Sequence, residues 1–527
     1  MQRSRNKILI ALGCLLVALV LFPVIEHYRG KWALERWKAI MAAKGEKFNI
    51  EELIPPPPAP ADNAFPDVLF ASGRLRATNP QHIGLMPPSL RFVAPGKLIY
   101  IPAQIHWKGT DYSGGKNKDT NVTWEVFADE MATLIDPLNE AKAALKKPGF
   151  DANRNYRFGF NLLLPHLVEF KRLAQVLSGA ALLELRQGKA SAASEDLEAM
   201  LALSRGQKDE RLVISQLVRI AIGPIAVGAT WQALQTPGWN DDQLARLQAG
   251  WQSLEFLGAM AHALEMERTM QGPAYDLLRQ SNKQVADMLS AYGRGAGSNA
   301  PRTVSGLDDL LDFLGDKLVE FPRGSIYIPL WRFAWSHQDE LRAMELEQAM
   351  VETARQAAEQ KSGRAAAEAS RKLEAKIGET SLYNRLRFLF SSEVARPSWD
   401  PAGILWVDRA VECETQRELT VAAIALRRYE LRHGKPAPNL AALVPEFLPE
   451  LPRDYMDGKP LRYRLNPDGS FLLYSVGQDG RDDGGNAAPS SGAGSKPNLQ
   501  NGRDLVWPAP ASAEEIAAEE AKAAKRN

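Results

Sequence analysis

Residues 8–25, "ILIALGCLLVALVLFPVI", are eighteen consecutive residues without a charge. At about 1.5 Å of rise per residue, a helix of this length covers most of a roughly 30 Å hydrocarbon core. Arg3, Arg5 and Lys7 stand ahead of it. A cleaved signal peptide needs a small-residue site after a shorter apolar region, and "FPVIEHYRG" offers none. A lipoprotein needs Cys14 at the end of the apolar segment, yet eleven apolar residues follow it. In a prepilin the acidic residue precedes most of the apolar helix, whereas Glu26 follows it. The run therefore predicts an uncleaved single-pass anchor. Basic residues ahead of it favour a cytoplasmic N-terminus and an exported body, which predicts an inner (cytoplasmic) membrane location with the body in the periplasm or at the cell exterior.

The remaining chain has the composition of folded protein. Apolar residues make up 45% and charged residues 24% of 527 positions, which suffices for real cores. The 64 basic and 63 acidic residues leave a net charge of +1, so nothing favours nucleic acid as a partner. Cys14 and Cys413 are the two cysteines, and one lies in the anchor, so neither a disulfide framework nor a cysteine zinc cluster is expected.

The expected organisation follows the chain. Residues 1–7 form a basic cytoplasmic terminus and 8–25 the anchor. Residues 26–60 read as a juxtamembrane helix, with Trp32 and Trp37 at the membrane interface, followed by a proline-rich spacer or simple loop at 55–60. Residues 61–123 read as irregular or β, with strands near 90–93 and 98–107 and an exposed loop over "GTDYSGGKNKDTN". Residues 124–404 read as a helical body. Within it the spacing predicts helices over 162–185, with Pro165 in the first turn, over 192–203 and over 211–234, the last interrupted near Gly223-Pro224. Gly188 is placed as a helix stop, and Asn240 with Gln243 has the spacing of a capping box. Ser305 and Asp308 give a looser version of that signal. The hairpin around Gly188 has no repeat at a fixed period of about 34 residues, so a repeat array is not predicted. Residues 337–377 are rich in Ala, Glu, Gln, Lys and Arg and predict a long exposed helix, interrupted near Ser362-Gly363, with a coiled-coil surface as the alternative.

Motifs of catalysis are missing from the text of the chain. The seven histidines (His27, His82, His106, His166, His262, His337 and His433) are scattered, and none has zinc-ligand spacing. Neither a nucleophile elbow nor a phosphate-binding loop is present. The acidic pairs Asp241-Asp242 and Asp308-Asp309 stand at helix starts, where the helix dipole explains them.

Residues 405–485 predict a small α+β unit. A helix over 417–433, with Leu419, Ala422, Ala423 and Leu426 on one face, stops at Gly434. A short helix "NLAALV" follows. Strands "LRYRL" and "SFLLYSV" flank the turn Asn466-Pro467-Asp468-Gly469. The glycine- and aspartate-rich stretch "GQDGRDDGG" comes next, then a low-complexity insertion at 486–503, and then "RDLVW" in a tail at 504–527 that is expected to be helical or without fixed structure. The order of "ALRRYELRHGKPAPNLAALVPEFLP", "DGKPLRYRLNPDGSFLLYSVGQDGRDDGG" and "RDLVW" resembles the C-terminal domain of the type II secretion major pseudopilins over residues 413–507. The whole chain is similar to membrane-anchored bacterial proteins that carry such a tail after a helical body.

The resemblance implies a helix packed on a small antiparallel sheet and a calcium ion in the loop after the second strand. Ser475, Asp479 and Asp504 match the family pattern, and Asp482 and Asp483 add carboxylates. As an EF-hand the loop fails: from Asp479, Gly484 fits the sixth position, but Arg481 takes the third and Ser490 the twelfth. A polar turn without an ion is the alternative. The chain departs from a pilus subunit in carrying its anchor far upstream of this unit. The fold class expected is mainly α, with an N-terminal transmembrane helix, a helical body with hairpin-like repeats, and a small C-terminal α+β pseudopilin-like domain. The function expected is an envelope scaffold or interaction protein, with envelope or secretion-system proteins as partners. A hydrolase with a site in the helical body and a calcium-stabilised structural domain are the alternatives.

Overall fold

A computed structural model describes residues 2–78, 82–111, 118–295, 326–364, 368, 381–388, 403–490 and 497–524. The described chain is mostly helical with small sheets. The first helix, α1 (Gln2–Ala43), is unbroken. It carries the apolar run straight through Pro23 into the expected juxtamembrane segment. A proline inside a helix normally removes one backbone bond and kinks it. Here the helix continues, and Leu9, Leu12, Leu16, Val20 and Ile25 stand exposed along it. By length and composition α1 can cross a membrane. Helix α8 (Val213–Gln235) passes the same test, but most of it is buried inside the body, as a core helix would be. It too runs through its proline, Pro224, so the interruption expected there does not occur.

The body is built on α2 (Phe65–Thr78), α3 (His82–Leu85), α4 (Trp124–Ala132), α5 (Ile135–Ala144), α6 (His166–Arg186), α7 (Ala190–Gly206), α8, α9 (Asp241–Gln252), α10 (Leu257–Gln280) and α11 (Asn282–Gly295). Helices α6 and α7 form the hairpin that the spacing predicts, and Gly188 makes its turn at φ +72°. The Asn240 side chain accepts from Gln243 N–H while Gln243 reciprocates, so the capping box is realised. Helix α6 begins at His166, four residues later than expected, so Pro165 stands at its N-cap rather than inside its first turn.

Helix α12 (Ser336–Gln360) corrects one expectation. Its composition reads as a solvated helix, yet Asp339, Glu340, Glu347 and Gln348 are buried. It packs along α10 and α1, and its charges find partners on those helices. It ends at Lys361, one residue before the break expected at Ser362-Gly363. The Ser305 and Asp308 signal lies outside the described residues.

Among the described residues, three small sheets complete the fold. Strands β1 (Phe92–Ala94) and β2 (Lys97–Leu98) pair antiparallel. Strands β3 (His106–Asp111) and β4 (Lys118–Thr123) pair antiparallel, so residues 109–111 and 118–121 of the tract expected as a loop are strand, and 112–117 lie outside the described residues. Trp107 and Val122 face each other across this pair and are both buried, which gives the pair an apolar side. In the C-terminal unit α13 (Gly403–His433) packs on an antiparallel sheet of order β5 (Arg462–Leu465), β6 (Phe471–Ser475), β7 (Leu505–Val506). Strand β8 (Ala509–Pro510) then pairs parallel with β2, and α14 (Ala513–Ala524) closes the described chain.

One apolar core runs through body and C-terminal unit alike. It includes Phe170, Leu177, Trp231, Trp251, Val351, Ile424 and Leu473. Each fully buried large apolar side chain contributes about 1.5–3 kcal/mol. Trp231 Nε1 donates to Pro508 O at 2.7 Å, so the core also holds the C-terminal tail. The Glu414 carboxylate of α13 accepts from the N–H groups of Phe256 (2.5 Å) and Leu257 (3.3 Å). It therefore caps α10, whose first N–H groups have no partner within their own helix. Within the proline-rich segment Pro58 lies against Gly149, where an added Cβ would meet it at 2.4 Å, while Pro56, Pro57, Ala59 and Pro60 are exposed.

Candidate functional site

The loop after β6 is organised by Asp504. This buried carboxylate accepts from the N–H groups of Asp483 (3.3 Å), Gly485 (2.7 Å) and Asn486 (2.8 Å). Burial pushes the Asp504 carboxyl up, and the three donors oppose that shift. Gly477 starts the loop at φ +68°, with Arg503 O only 2.0 Å from where a Cβ would stand. The strand returning at β7 passes too close for any side chain there. Asp482 accepts from Tyr474 Oη (2.9 Å) and Gly484 N–H (3.0 Å). Exposed Asp479 accepts from Arg481 N–H at 3.0 Å.

Ser475 faces a different partner. Its Oγ donates to Asp454 Oδ1 at 2.7 Å. Asp454 is fully buried and also accepts from Val476 N–H (3.0 Å) and Met456 N–H (2.9 Å). Arg462 lies 2.5 Å from Asp454 and 2.5 Å from Asp457. Asp483 thus meets Asp504 through its backbone N–H and the Asp482 charge lies near the same carboxylate, while Ser475 belongs to the Asp454–Arg462 cluster and Asp479 turns on its own. Among the described residues, no group of three or more His, Cys, Asp or Glu is arranged to hold a metal. The described ends of the 486–503 insertion pair with each other, through Ser490 N–H to Asn501 O (2.8 Å) and Arg503 N–H to Ala488 O (2.9 Å).

The body holds two polar clusters beside clefts. In the first, His166 is fully buried against the rings of Phe65 and Phe170. Arg154 reaches its Nδ1 at 2.5 Å and Glu210 its Nε2 at 2.8 Å. An arginine only donates, so Nδ1 accepts and Nε2–H faces the carboxylate. Both ring nitrogens are thereby engaged, and His166 is a packed, satisfied residue. Above it lies a cleft of 330 Å³ walled by Pro55 to Pro58, Phe150 and Glu210.

The second cluster joins α5, α6 and α7. Lys142 Nζ lies 2.7 Å from Asp196 Oδ1, and the Asp196 side chain is fully buried. Glu184 neighbours Asp196 across the hairpin. Burial, with Asp196 next in importance, pushes the Glu184 carboxyl up to about 8. Burial raises Asp196 as well, against the Lys142 ammonium. A cleft of 580 Å³ opens beside this group, lined by Lys142, Ser191, Glu195, Glu198, Arg205 and Arg246. A protonated carboxylic acid beside an ammonium–carboxylate pair can donate or accept a proton near neutral pH. Sequence reading missed this cluster. One signal was present: Asp196 stands three residues after Ala193 and four before Met200, all on the buried stripe of α7.

Comparison with known proteins adds nothing to these sites: no family model, no curated protein and no solved structure matches the chain.

Three charged nodes join α1 and the turn that follows it to the body. Glu26 pairs with Arg29 at 2.7 Å and accepts from Tyr383 Oη (2.7 Å) and Gln338 Nε2 (2.8 Å). Lys38 meets Glu340 at 3.0 Å, and Glu340 also holds Arg279 at 2.6 Å. Glu46 pairs with Arg268 at 2.7 Å and Arg355 at 2.5 Å. Trp37 packs edge-on to Phe48 at 5.6 Å, so it serves this docking, whereas Trp32 stays exposed. The partners advance along α12 as they advance along α1, so the two helices run in the same direction.

Proposed function

We propose that this chain is a membrane-anchored scaffold or interaction protein of the cell envelope, which presents its C-terminal unit to an envelope assembly. The proposal places α1 across the inner membrane with the N-terminus cytoplasmic and the body exported. The observation that carries it is the continuity of α1 from its apolar run into a helix docked on α12 through Glu26 and Lys38, with Glu46 in the turn after α1 pairing to both α10 and α12. Such docking fixes the body relative to the anchor. Helix α12 has 25 residues, a length of about 37 Å. The C-terminal unit meets its far end, through Gly363 N–H to Tyr455 O (2.5 Å) and Lys361 to Glu450 (2.5 Å). The anchor therefore serves as the foot of a strut, and the pseudopilin-like unit is its head. That resemblance points to a type II secretion or pilus-like assembly as the partner. The test is photocrosslinking in cells from Arg464, which is exposed on the edge strand β5. Adducts with envelope proteins are expected, and an uncrosslinked chain in gently extracted membranes would overturn the proposal.

The cluster of Glu184, Asp196 and Lys142 favours the second reading, an envelope hydrolase. That reading requires turnover of an ester or peptide by the purified chain, lost in Glu184→Gln without loss of folding. Absence of turnover across such substrates leaves the scaffold.

A further inference from the structure

We propose that residues 326–335 form a second membrane contact, a shallow platform that seats the body in the lipid interface beside α1. This rests on the anchor reading above. A hydrocarbon core of roughly 30 Å takes about twenty helical residues. Counted from Ile8, the far boundary falls near His27.

Body residues touch α1 at that level and below it. The His27 and Phe333 rings stack at 4.9 Å, and His27 Nδ1 lies 2.7 Å from Phe333 O. Phe22 meets Trp335 at 6.3 Å and Tyr383 at 6.5 Å. Phe22 is five residues inside the boundary, about 7 Å at helical rise. A placement of α1 that buries its apolar run therefore carries Trp335 and Tyr383 to the membrane edge.

The surface there has the chemistry of that edge. Phe333 is 47% exposed and Ile326 65%, and on α1 Tyr28 is 65% and Trp32 63% exposed. Water would disfavour these side chains, while the interface favours aromatic rings. Arg29, Lys31 and Arg36 are exposed on the same stretch of α1, with Glu35 the one exposed acid among those residues. With Arg29 balanced by Glu26, Lys31 and Arg36 against Glu35 leave this stretch net positive, which suits phosphate headgroups. Glu26, the group most costly to bring near hydrocarbon, is 4% exposed and closed by Arg29, Tyr383 and Gln338. The platform also has its own apolar support. Ile328, Trp331, Ala334 and Trp335 pack with Tyr275 and Leu278 in a cluster separate from the main core.

The experiment places single nitroxide labels on the full chain in a Cys14→Ser, Cys413→Ala background. The positions are Leu16→Cys, Ile326→Cys, Phe333→Cys and Glu450→Cys. The protein is reconstituted in vesicles of phosphatidylethanolamine and phosphatidylglycerol. Accessibility to a water-soluble nickel chelate is then compared with accessibility to oxygen. Position 450, at the far end of α12, is the aqueous reference. Nickel accessibility at 326 and 333 should be several-fold lower than at 450, with position 16 lowest. Ile326 is mostly solvent-exposed, so its label tests the platform even where the Phe333 label disturbs packing. Labels at 326 and 333 as accessible as 450, with 16 protected, would overturn the platform and leave the anchor. A label at 16 as accessible as 450 would overturn the anchor, and the platform with it.

Discussion

Glu46→Gln is the perturbation that most sharply probes how the C-terminal end of α1 and the turn after it are held. Burial alone would push the Glu46 carboxyl up, but hydrogen bonds from Arg355, Arg268 and Gln348 outweigh it and hold it at about 2, below its ordinary 4.5. Arg268 is fully buried, and Lys47 O also accepts from it at 2.8 Å. Removing one partner of a buried pair costs about 3–5 kcal/mol when the other charge is stranded. Here Gln keeps a hydrogen-bond acceptor, and Arg355 is 42% exposed and retains Glu265 at 2.6 Å. The discounted cost is about 2 kcal/mol, a factor of about 30 in local opening. Hydrogen exchange over residues 34–48 of the full chain reads that factor directly. The sign with pH follows from the lowered value. Glu46 contributes its full stabilisation above about 4.5 and loses it as pH falls toward about 2. Unchanged exchange in Glu46→Gln, or protection insensitive to acid across that window, would refute the docking of α1 by this node.

Three further outcomes are expected. Gly477→Ala should unfold or strongly destabilise the C-terminal unit, because its Cβ would meet Arg503 O at 2.0 Å. Gly480→Ala, at φ +67° with open space, should cost only about 1–2 kcal/mol, and equal melting of the two variants would remove the steric argument. Burial raises Glu184 to about 8, Glu267 to about 7 and Glu347 to about 8, so each group's stabilisation is full below about 4.5 and is lost as pH rises toward those values. The thermal midpoint should therefore fall between about pH 5 and pH 8, and Glu347→Gln should flatten that slope. Asp504→Ala strands three N–H groups and should cost about 2–3 kcal/mol. The calcium that the pseudopilin resemblance implies must raise the wild-type midpoint over that in chelator and must lose that effect in Asp504→Ala; no shift takes calcium out of the account.

Local signals were legible and distant partnerships were not. The capping box of Asn240 and Gln243, the stops at Gly188 and Gly434 and the turn at residues 466–469 depend on neighbours in sequence, and all are realised. The burial of α12 depends on Lys38 and Arg279, which lie far away in the chain, so its charges read as a solvated face. The strand over residues 118–123 was hidden by its polar composition, because its one buried apolar partner, Trp107, lies on the paired strand. Ser475 matched a family pattern, but its hydrogen bond goes to Asp454, 21 residues earlier and on no common motif. The Glu184–Asp196 pair shows only as an acid on an apolar stripe.

The central claim is that residues 8–25 remain as an anchor on which the body is built. Intact mass of the protein recovered from carbonate-washed membranes tests it most directly. The account predicts a membrane-retained chain whose mass includes residues 1–25. A soluble chain whose mass lacks them would contradict it, because the apolar half of α1 would then be a removed signal and the strut would have no foot.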